Sequence, residues 1–213
     1  LPELRLWVSS GESLTRELAD EFLDRLPDRT LLNLYGSSEV AADSTAHAVK
    51  EPGSPVSIGM PIFNTEAYIL DRHLQPVPIG VTGEIYIGGC GLARGYLQRP
   101  DLTDERFIPH PFSKEPETRL YKTGDLGRYA SNGSIEYIGR ADFQVKIRGF
   151  RVELDEVQNT LLHHPAVKQA LVIAGATADG LRLIAYLVPN PDSTINHQEL
   201  RKFIEDRLPD YMI

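Results

Sequence analysis

Cysteine is nearly missing from this sequence: Cys90 is the only one in 213 residues. A single thiol forms no intrachain disulfide and no cysteine-rich zinc site, so a reducing compartment, the cytoplasm, is the expected location. Cations are in deficit as well, with 22 Lys and Arg against 30 Asp and Glu and a formal net charge of −8. That balance excludes broad binding along a nucleic-acid backbone but leaves room for a local cationic site for one nucleotide. Long apolar runs are lacking. No stretch approaches a bilayer span, and LPELRLWVSSGE has no basic segment followed by a long apolar one, so neither a membrane partner nor a signal peptide is expected. The remainder, 41% hydrophobic and 24% charged, suits a globular chain with one generous domain or two small ones. Both ends read as cut, because Leu1–Val8 is a strand already under way and Leu208–Ile213 stops on an apolar run.

Three textures follow one another. In 1–57, Arg5–Val8 reads as a strand, and Ser13 as the N-cap of a helix with Leu14, Leu18, Phe22 and Leu26 on its apolar face, stopped by Pro27. Thr30–Leu34 is a strand running into the polar loop that begins at Tyr35. In open α/β sheets ligands bind at that end of the strands. In 58–141, strand candidates Glu66–Leu70, Gly83–Gly88 and Ser134–Ile138 are separated by Gly, Pro and Asp, and Asn132-Gly133 signals a type I′ hairpin. A small distorted barrel or antiparallel sheet is expected there. In 142–213, a strand at Gln144–Arg148, a helix with Leu154, Val157 and Leu161, strands Val167–Ile173 and Leu181–Val188 around a Gly-bearing loop, and a helix with Leu200, Phe203, Ile204 and Leu208 make an incomplete α+β lobe. The fold class is therefore α/β followed by α+β.

Four stretches hold groups that can do chemistry. Asn33-Leu34-Tyr35-Gly36-Ser37-Ser38-Glu39 combines an aromatic face for a base, two hydroxyls for phosphate and a carboxylate for Mg²⁺. It also reads as an ordinary polar turn after a strand. Gly83–Tyr96 is glycine-dense yet lacks the Lys-Ser or Lys-Thr of a P-loop, so a strand and a tight turn are the better reading, with Cys90 inert in it. Tyr121-Lys122-Thr123-Gly124-Asp125-Leu126 places a carboxylate after a Gly turn, where it can accept two ribose hydroxyls or bond its own backbone. Gly139–Arg151 concentrates cations in an acidic chain, which suits a polyphosphate or a protected strand edge. The histidines have no metal-ligand spacing and read as surface or core residues.

In this order the four stretches resemble signatures of the adenylation domains of non-ribosomal peptide synthetases, in the acyl-adenylate-forming superfamily. Those run N-x-Y-G-P-T-E, G-E-L-x-I-x-G-x-G-x-A-R-G-Y, Y-K-T-G-D-L and G-R-x-D-x-Q-V-K-I-R-G-x-R-I-E-L, and Leu208–Ile213 looks like the next, L-P-x-Y-M. The resemblance implies the end of the α/β core in 1–57, the barrel-like core in 58–141 and a mobile lobe in 142–213. It implies a ligase that activates an amino acid or related carboxylic acid with ATP and Mg²⁺. The acyl group then passes to the phosphopantetheine thiol of a peptidyl carrier protein, beside neighbouring domains of a synthetase that makes antibiotics or other secondary metabolites.

By the same resemblance Asn33 and Tyr35, with Gly36, hold adenine; Ser38 touches the α-phosphate and Glu39 binds magnesium. Asp125 takes the ribose hydroxyls, with Tyr137 and Arg140 completing the nucleoside site. Asp142 is the hinge and Lys146 serves the thioester-forming conformation. Val8, Ser10, Leu34, Ala42 and Asp43 fall at substrate-pocket positions. Ser37-Ser38 departs from the family's Pro-Thr. The family's phosphate loop is expected before residue 1 and its catalytic lysine, in N-G-K, after Ile213, so this stretch alone is not expected to catalyse adenylation. An acyl-CoA or aryl-CoA ligase of the same superfamily and a non-catalytic scaffold fragment are the alternatives. The run QVKIRGFRVELDEV favours the carrier-loading branch, and Glu39, Asp125 and Lys146 together speak against a scaffold.

Overall fold

The computed structural model describes residues 3–141, 144–147, 149–177, 180–191 and 193–213. Contacts divide the chain into two compact units, 1–142 and 143–213. The first opens with β1 (Leu6–Ser9), α1 (Arg16–Arg25) and β2 (Thr30–Tyr35). β1 and β2 are parallel, with Leu6 opposite Thr30 and Ser9 opposite Asn33. α1 is the crossover that a parallel pair requires.

The helix starts later than its sequence suggests. Thr15, not Ser13, is the cap, and its hydroxyl accepts from the Leu18 N–H at 3.2 Å. The reason is Leu14, which is buried ahead of the helix in a cluster with Ala19, Leu23, Leu31 and Val49. The helix therefore buries Ala19 and Leu23 and leaves Leu18 55% exposed, while Leu26 is only its C-cap. β3 (Thr45–Val49), which has no apolar run to announce it, pairs antiparallel with β2, and β4 (Met60–Pro61) completes a sheet of order β1-β2-β3-β4.

The other sheet of this unit is an antiparallel half-barrel of β5 (Thr65–Leu70), β6 (Gly83–Gly89), β7 (Phe107–Pro109), β8 (Arg119–Tyr129) and β9 (Ile135–Arg140). β8 is its axis, with β6 along one edge and β7 and β9 sharing the other. Ile69, Ile85, Ile87, Tyr121 and Ile135 share its main core, while Leu120 is buried in a second cluster with Leu70 and Tyr86. A short helix, α2 (Pro100–Arg106), precedes β7.

Two turns differ from expectation. Lys122–Leu126 is not a turn but part of β8, where register slips and Gly124, at φ 77°, bend the strand as bulges do. At Asn132-Gly133 only the glycine has positive φ, at 82°, whereas a type I′ turn needs two such residues. Instead Gly133 N–H bonds the Ala130 carbonyl at 2.9 Å, and Ala130 N–H closes a three-residue connection on the Ser134 carbonyl at 2.8 Å.

The second unit holds the hairpin β10 (Val145–Ile147) and β11 (Phe150–Val152), then α3 (Leu154–Leu162), the hairpin β12 (Val167–Thr177) and β13 (Gly180–Pro189), and α4 (His197–Glu205). Leu154, Val157 and Leu161, three and four apart on α3, are all buried in one core with Val152, Val172, Leu200 and Leu208. The loop expected between the long strands is shorter than its sequence suggests, because pairing continues to Thr177 and Gly180. Leu208 lies beyond the end of α4, not on it, but remains buried. Arg148 and the hinge candidate Asp142 lie outside the described residues. Among the described residues no helix is long and apolar enough to cross a membrane.

Candidate active site

Strand periodicity puts Asn33 and Tyr35 on one face of β2, and both are buried. Asn33 Nδ2 donates to the Ser57 carbonyl at 2.8 Å, and Ser57 Oγ donates to the Ile135 carbonyl at 2.7 Å. Asn33 thereby fastens the segment that binds the start of β9. Tyr35 reaches the half-barrel directly: its hydroxyl donates to Asp125 Oδ2 at 2.5 Å. From β9, opposite Asp125 in the register, Arg140 Nη1 donates to Oδ1 at 2.8 Å and Nη2 to the Thr123 carbonyl at 3.3 Å. The Tyr137 ring stands 6.3 Å from that of Tyr35. Tyr35, Asp125, Tyr137 and Arg140, from three stretches of sequence, thus meet in one place.

Asp125 is itself held in place. Its N–H donates to Thr123 Oγ1 at 3.0 Å, that hydroxyl donates to the Ile85 carbonyl at 2.7 Å, and Gly124 N–H donates to Glu84 Oε1 at 3.1 Å. Burial, and then the Asp125 charge, push the Tyr35 phenol well above its ordinary value, so it stays a protonated donor. Each carboxylate oxygen offers about two acceptor positions. Tyr35 and Arg140 take one on each oxygen, so the two donors are shared evenly across the carboxylate.

The loop after β2 is tightly folded. A Cβ on Gly36 would lie 1.8 Å from the Ala42 carbonyl oxygen, so no other residue fits there. Ser37 has φ −151°, outside the range near −65° that proline imposes, so serine at the family's proline position comes with a different backbone. Its hydroxyl is buried with no hydrogen-bond partner, as is that of Ser44. Ser38 is exposed at the start of a 3-10 turn, and Glu39 is half-buried in it. Ala41 and Ala42 follow at φ 61° and 77°, left-handed conformations that cost about 1–2 kcal/mol each for residues with a Cβ. Beyond them Asp43 Oδ1 accepts from Ser10 Oγ at 3.4 Å. Of the other pocket positions, Leu34 is half-buried on the opposite face of β2, and Val8 and Ala42 are exposed.

Glu39 Oε1 accepts from the Tyr96 hydroxyl at 2.8 Å. Among the described residues no group of three or more His, Cys, Asp or Glu could hold a metal. A single carboxylate still fits magnesium, which binds one or two carboxylates together with substrate phosphates. Lys146 belongs to the second unit, half-buried on β10 opposite Arg151. Cys90 is exposed and unbonded to another cysteine.

Three partnerships have no clear signal in the sequence. Thr123 and Glu84 brace Asp125 from two different motifs, Y-K-T-G-D-L and G-E-L-x-I-x-G-x-G-x-A-R-G-Y, and nothing in either says that they meet. The imidazole of His110, expected to be no more than a surface or core residue, bonds Glu66 at 2.9 Å and accepts from the Phe112 and Ser113 N–H groups. Its hydrogen bond draws the Glu66 carboxyl below its ordinary value.

A family model for the AMP-binding enzymes matches residues 1–97, and one for the AMP-binding enzyme C-terminal domain matches 156–213. The dimodular nonribosomal peptide synthase of Bacillus subtilis is 48% identical over 99% of this chain, and the bacitracin synthase 1 of Bacillus licheniformis is 43% identical over 97% of it. The chain belongs to the AMP-binding enzymes, among the adenylation domains of non-ribosomal peptide synthetases. This adenylation segment spans 9% and 4% of the length of those two relatives. An artificially fused adenylation-PCP di-domain, NpsA-ThdA from Klebsiella oxytoca, superposes on it with a TM-score of 0.83 at 29% identity, over 98% of this chain and 41% of the other.

Proposed function

We propose that the protein carrying this segment activates an amino acid as its acyl-adenylate and loads it onto a carrier protein. A carboxylate oxygen of the acid would bond the α-phosphorus of Mg·ATP, the bond to the β-phosphate's bridging oxygen would break, and pyrophosphate would leave. In the second step the pantetheine sulfur, losing its proton, would bond the acyl carbon and AMP would leave. Positioning and charge stabilisation supply most of the catalysis in such chemistry. The observation that carries this reading is the convergence of Tyr35 and Arg140 on the two oxygens of Asp125. In this reading Asp125 takes the ribose hydroxyls, Tyr35 and Tyr137 flank the adenine, and Asn33 keeps β2 registered to β9. Ser38, exposed at the turn, contacts phosphate, and Glu39 holds the Mg²⁺ that offsets phosphate charge. Lys146 serves the transfer step and Asp142 the swing between lobes, with the chain divided at that point into core and mobile lobe.

Asp43 and Ser10 offer acceptors at the pocket positions, so we infer an acid whose side chain ends in a hydrogen-bond donor. The proposed compartment is the cytoplasm. The test is pyrophosphate exchange by the full-length protein across a panel of acids, followed by transfer to carrier protein or to free coenzyme A. Exchange with a donor-bearing amino acid and transfer to the carrier are expected. Transfer to coenzyme A alone would move the assignment to an acyl-CoA ligase, and no exchange with any acid would overturn it.

A further inference from the structure

The glycine-dense stretch Gly83–Tyr96 begins by bracing the Asp125 strand through Glu84 and Ile85, and its end grips the loop that carries Glu39. Ala93 N–H donates to the Glu39 backbone carbonyl at 2.8 Å, and the Tyr96 hydroxyl donates to Glu39 Oε1, also at 2.8 Å. Backbone and side chain of one glutamate are thus held from one strap. We propose that Tyr96 is a positioning residue for magnesium binding, orienting the Glu39 carboxylate through its hydroxyl. The inference rests on the reading of Glu39 as the magnesium carboxylate.

The strap is built to hold that hydroxyl still. Tyr96 N–H donates to Thr103 Oγ1 at 2.9 Å, and Thr103 in turn donates to the Arg99 carbonyl at 2.8 Å. The Tyr96 ring packs edge-on against Phe107, with centroids 5.7 Å apart. Gly95 sits at φ 144°, and a Cβ there would fall 2.5 Å from Thr103, so the close approach of strap to α2 needs glycine. Arg119 reaches back from β8 to the Ala93 and Arg94 carbonyls at 3.2 Å each, with its guanidinium over the Phe107 ring. Tyr96 is fixed at its backbone, at its ring and through its neighbours.

The donor's chemistry matters as much as its placement. A glutamate side chain is flexible, and freezing it costs rotamer entropy. A preset partner removes part of that cost before the metal arrives. A phenol does so without adding charge, whereas a Lys or Arg at the same place would offset the negative charge a cation requires. Hydrogen-bonded partners of metal-binding carboxylates commonly change metal affinity by about 10- to 100-fold.

The test uses the full-length protein with ATP present and Mn²⁺ as the probe, the free ion being read by electron paramagnetic resonance. Tyr96→Phe removes the one oxygen and should weaken Mn²⁺ binding about tenfold. The Mg²⁺ concentration for half-maximal pyrophosphate exchange should rise in parallel, while KM for the acid stays within about twofold. Glu39→Gln should weaken Mn²⁺ more, and adding Tyr96→Phe to it should cause no further loss, because the two act through one carboxylate. Thermal melting of each variant checks folding. If Tyr96→Phe melts early, Thr103→Val, which removes the anchor of the Tyr96 backbone but leaves the Tyr96 hydroxyl in place, should show a smaller loss of the same kind. Unchanged Mn²⁺ affinity in Tyr96→Phe beside a clear loss in Glu39→Gln would overturn the proposal. Unchanged affinity in Glu39→Gln would instead overturn the magnesium reading beneath it.

Discussion

In the first unit the buried polar groups tie distant stretches of chain together, whereas the second unit is closed almost entirely by apolar side chains. Asn33, Thr45, Ser57, Thr123 and Asp125 make such long-range bonds while buried in the first; among the described residues Gln144 is the only buried polar one in the second. A carboxylate placed where Asp125 lies loses several kcal/mol of hydration, which partners offset only in good geometry. Nothing in the packing of the half-barrel calls for a charge there. In the proposed function it is there as a receptor that the protein keeps in shape until a ligand arrives. The second unit has instead one apolar core, from Ile147 to Met212.

Breaking each unit should therefore take a different kind of substitution. The largest effect is expected from Asp125→Ala, which removes the buried carboxylate that both Tyr35 and Arg140, the latter only 11% exposed at its side chain, donate to. Loss of one partner of a buried pair destabilises by about 3–5 kcal/mol. Hydrogen exchange in the full-length protein should report it as faster exchange in β8 and β9, with the second unit unaffected. Leu161→Ala, at a site 1% exposed, should cost about 2–5 kcal/mol and speed exchange only in the second unit. If a single substitution loosened both units equally, the contrast would fail.

These expectations also mark what can be read from sequence. The helix of Leu154, Val157 and Leu161 is legible because one buried face at a spacing of three and four is all that α3 needs. The start of α1 is not, because its first buried leucine, Leu14, precedes the helix and mimics that spacing. The strand around Asp125 is illegible because bulges and glycines give β8 the composition of a turn. The members of the site are visible only as separate motifs, since nothing local tells that Tyr35 and Arg140, so far apart in the chain, end on one carboxylate.

Tyr35→Phe sharpens the comparison at a finer level, since it removes one bond to a charged acceptor and should cost about 1.5–3 kcal/mol. It also makes a prediction in pH. The folded-state value of Tyr35 is raised, so its contribution is complete below about pH 10 and is lost as pH climbs through the folded value. The stability gap between wild type and Tyr35→Phe should hold from neutral pH to about pH 10 and narrow above it. The smallest effect belongs to the second unit's surface. Arg201 and Glu205 pair at 2.8 Å on exposed turns of α4, and a double-mutant cycle there should give about 0.5 kcal/mol or less. A value as large as that at Asp125 would mean that polar wiring holds both units.

The most direct test of the ribose assignment is the affinity of the full-length protein for Mg·ATP and its 2′,3′-dideoxy analogue, measured calorimetrically on wild type and Asp125→Asn. The asparagine keeps the shape but loses the charge and one acceptor oxygen. Bonds to a charged acceptor contribute about 1.5–3 kcal/mol, so ATP should bind Asp125→Asn about ten- to a hundredfold more weakly. The dideoxy analogue, with no hydroxyls to donate, should bind both proteins alike. Equal affinity of both proteins for ATP, or an equal loss for ATP and the dideoxy analogue, would contradict Asp125 as the receiver of the ribose.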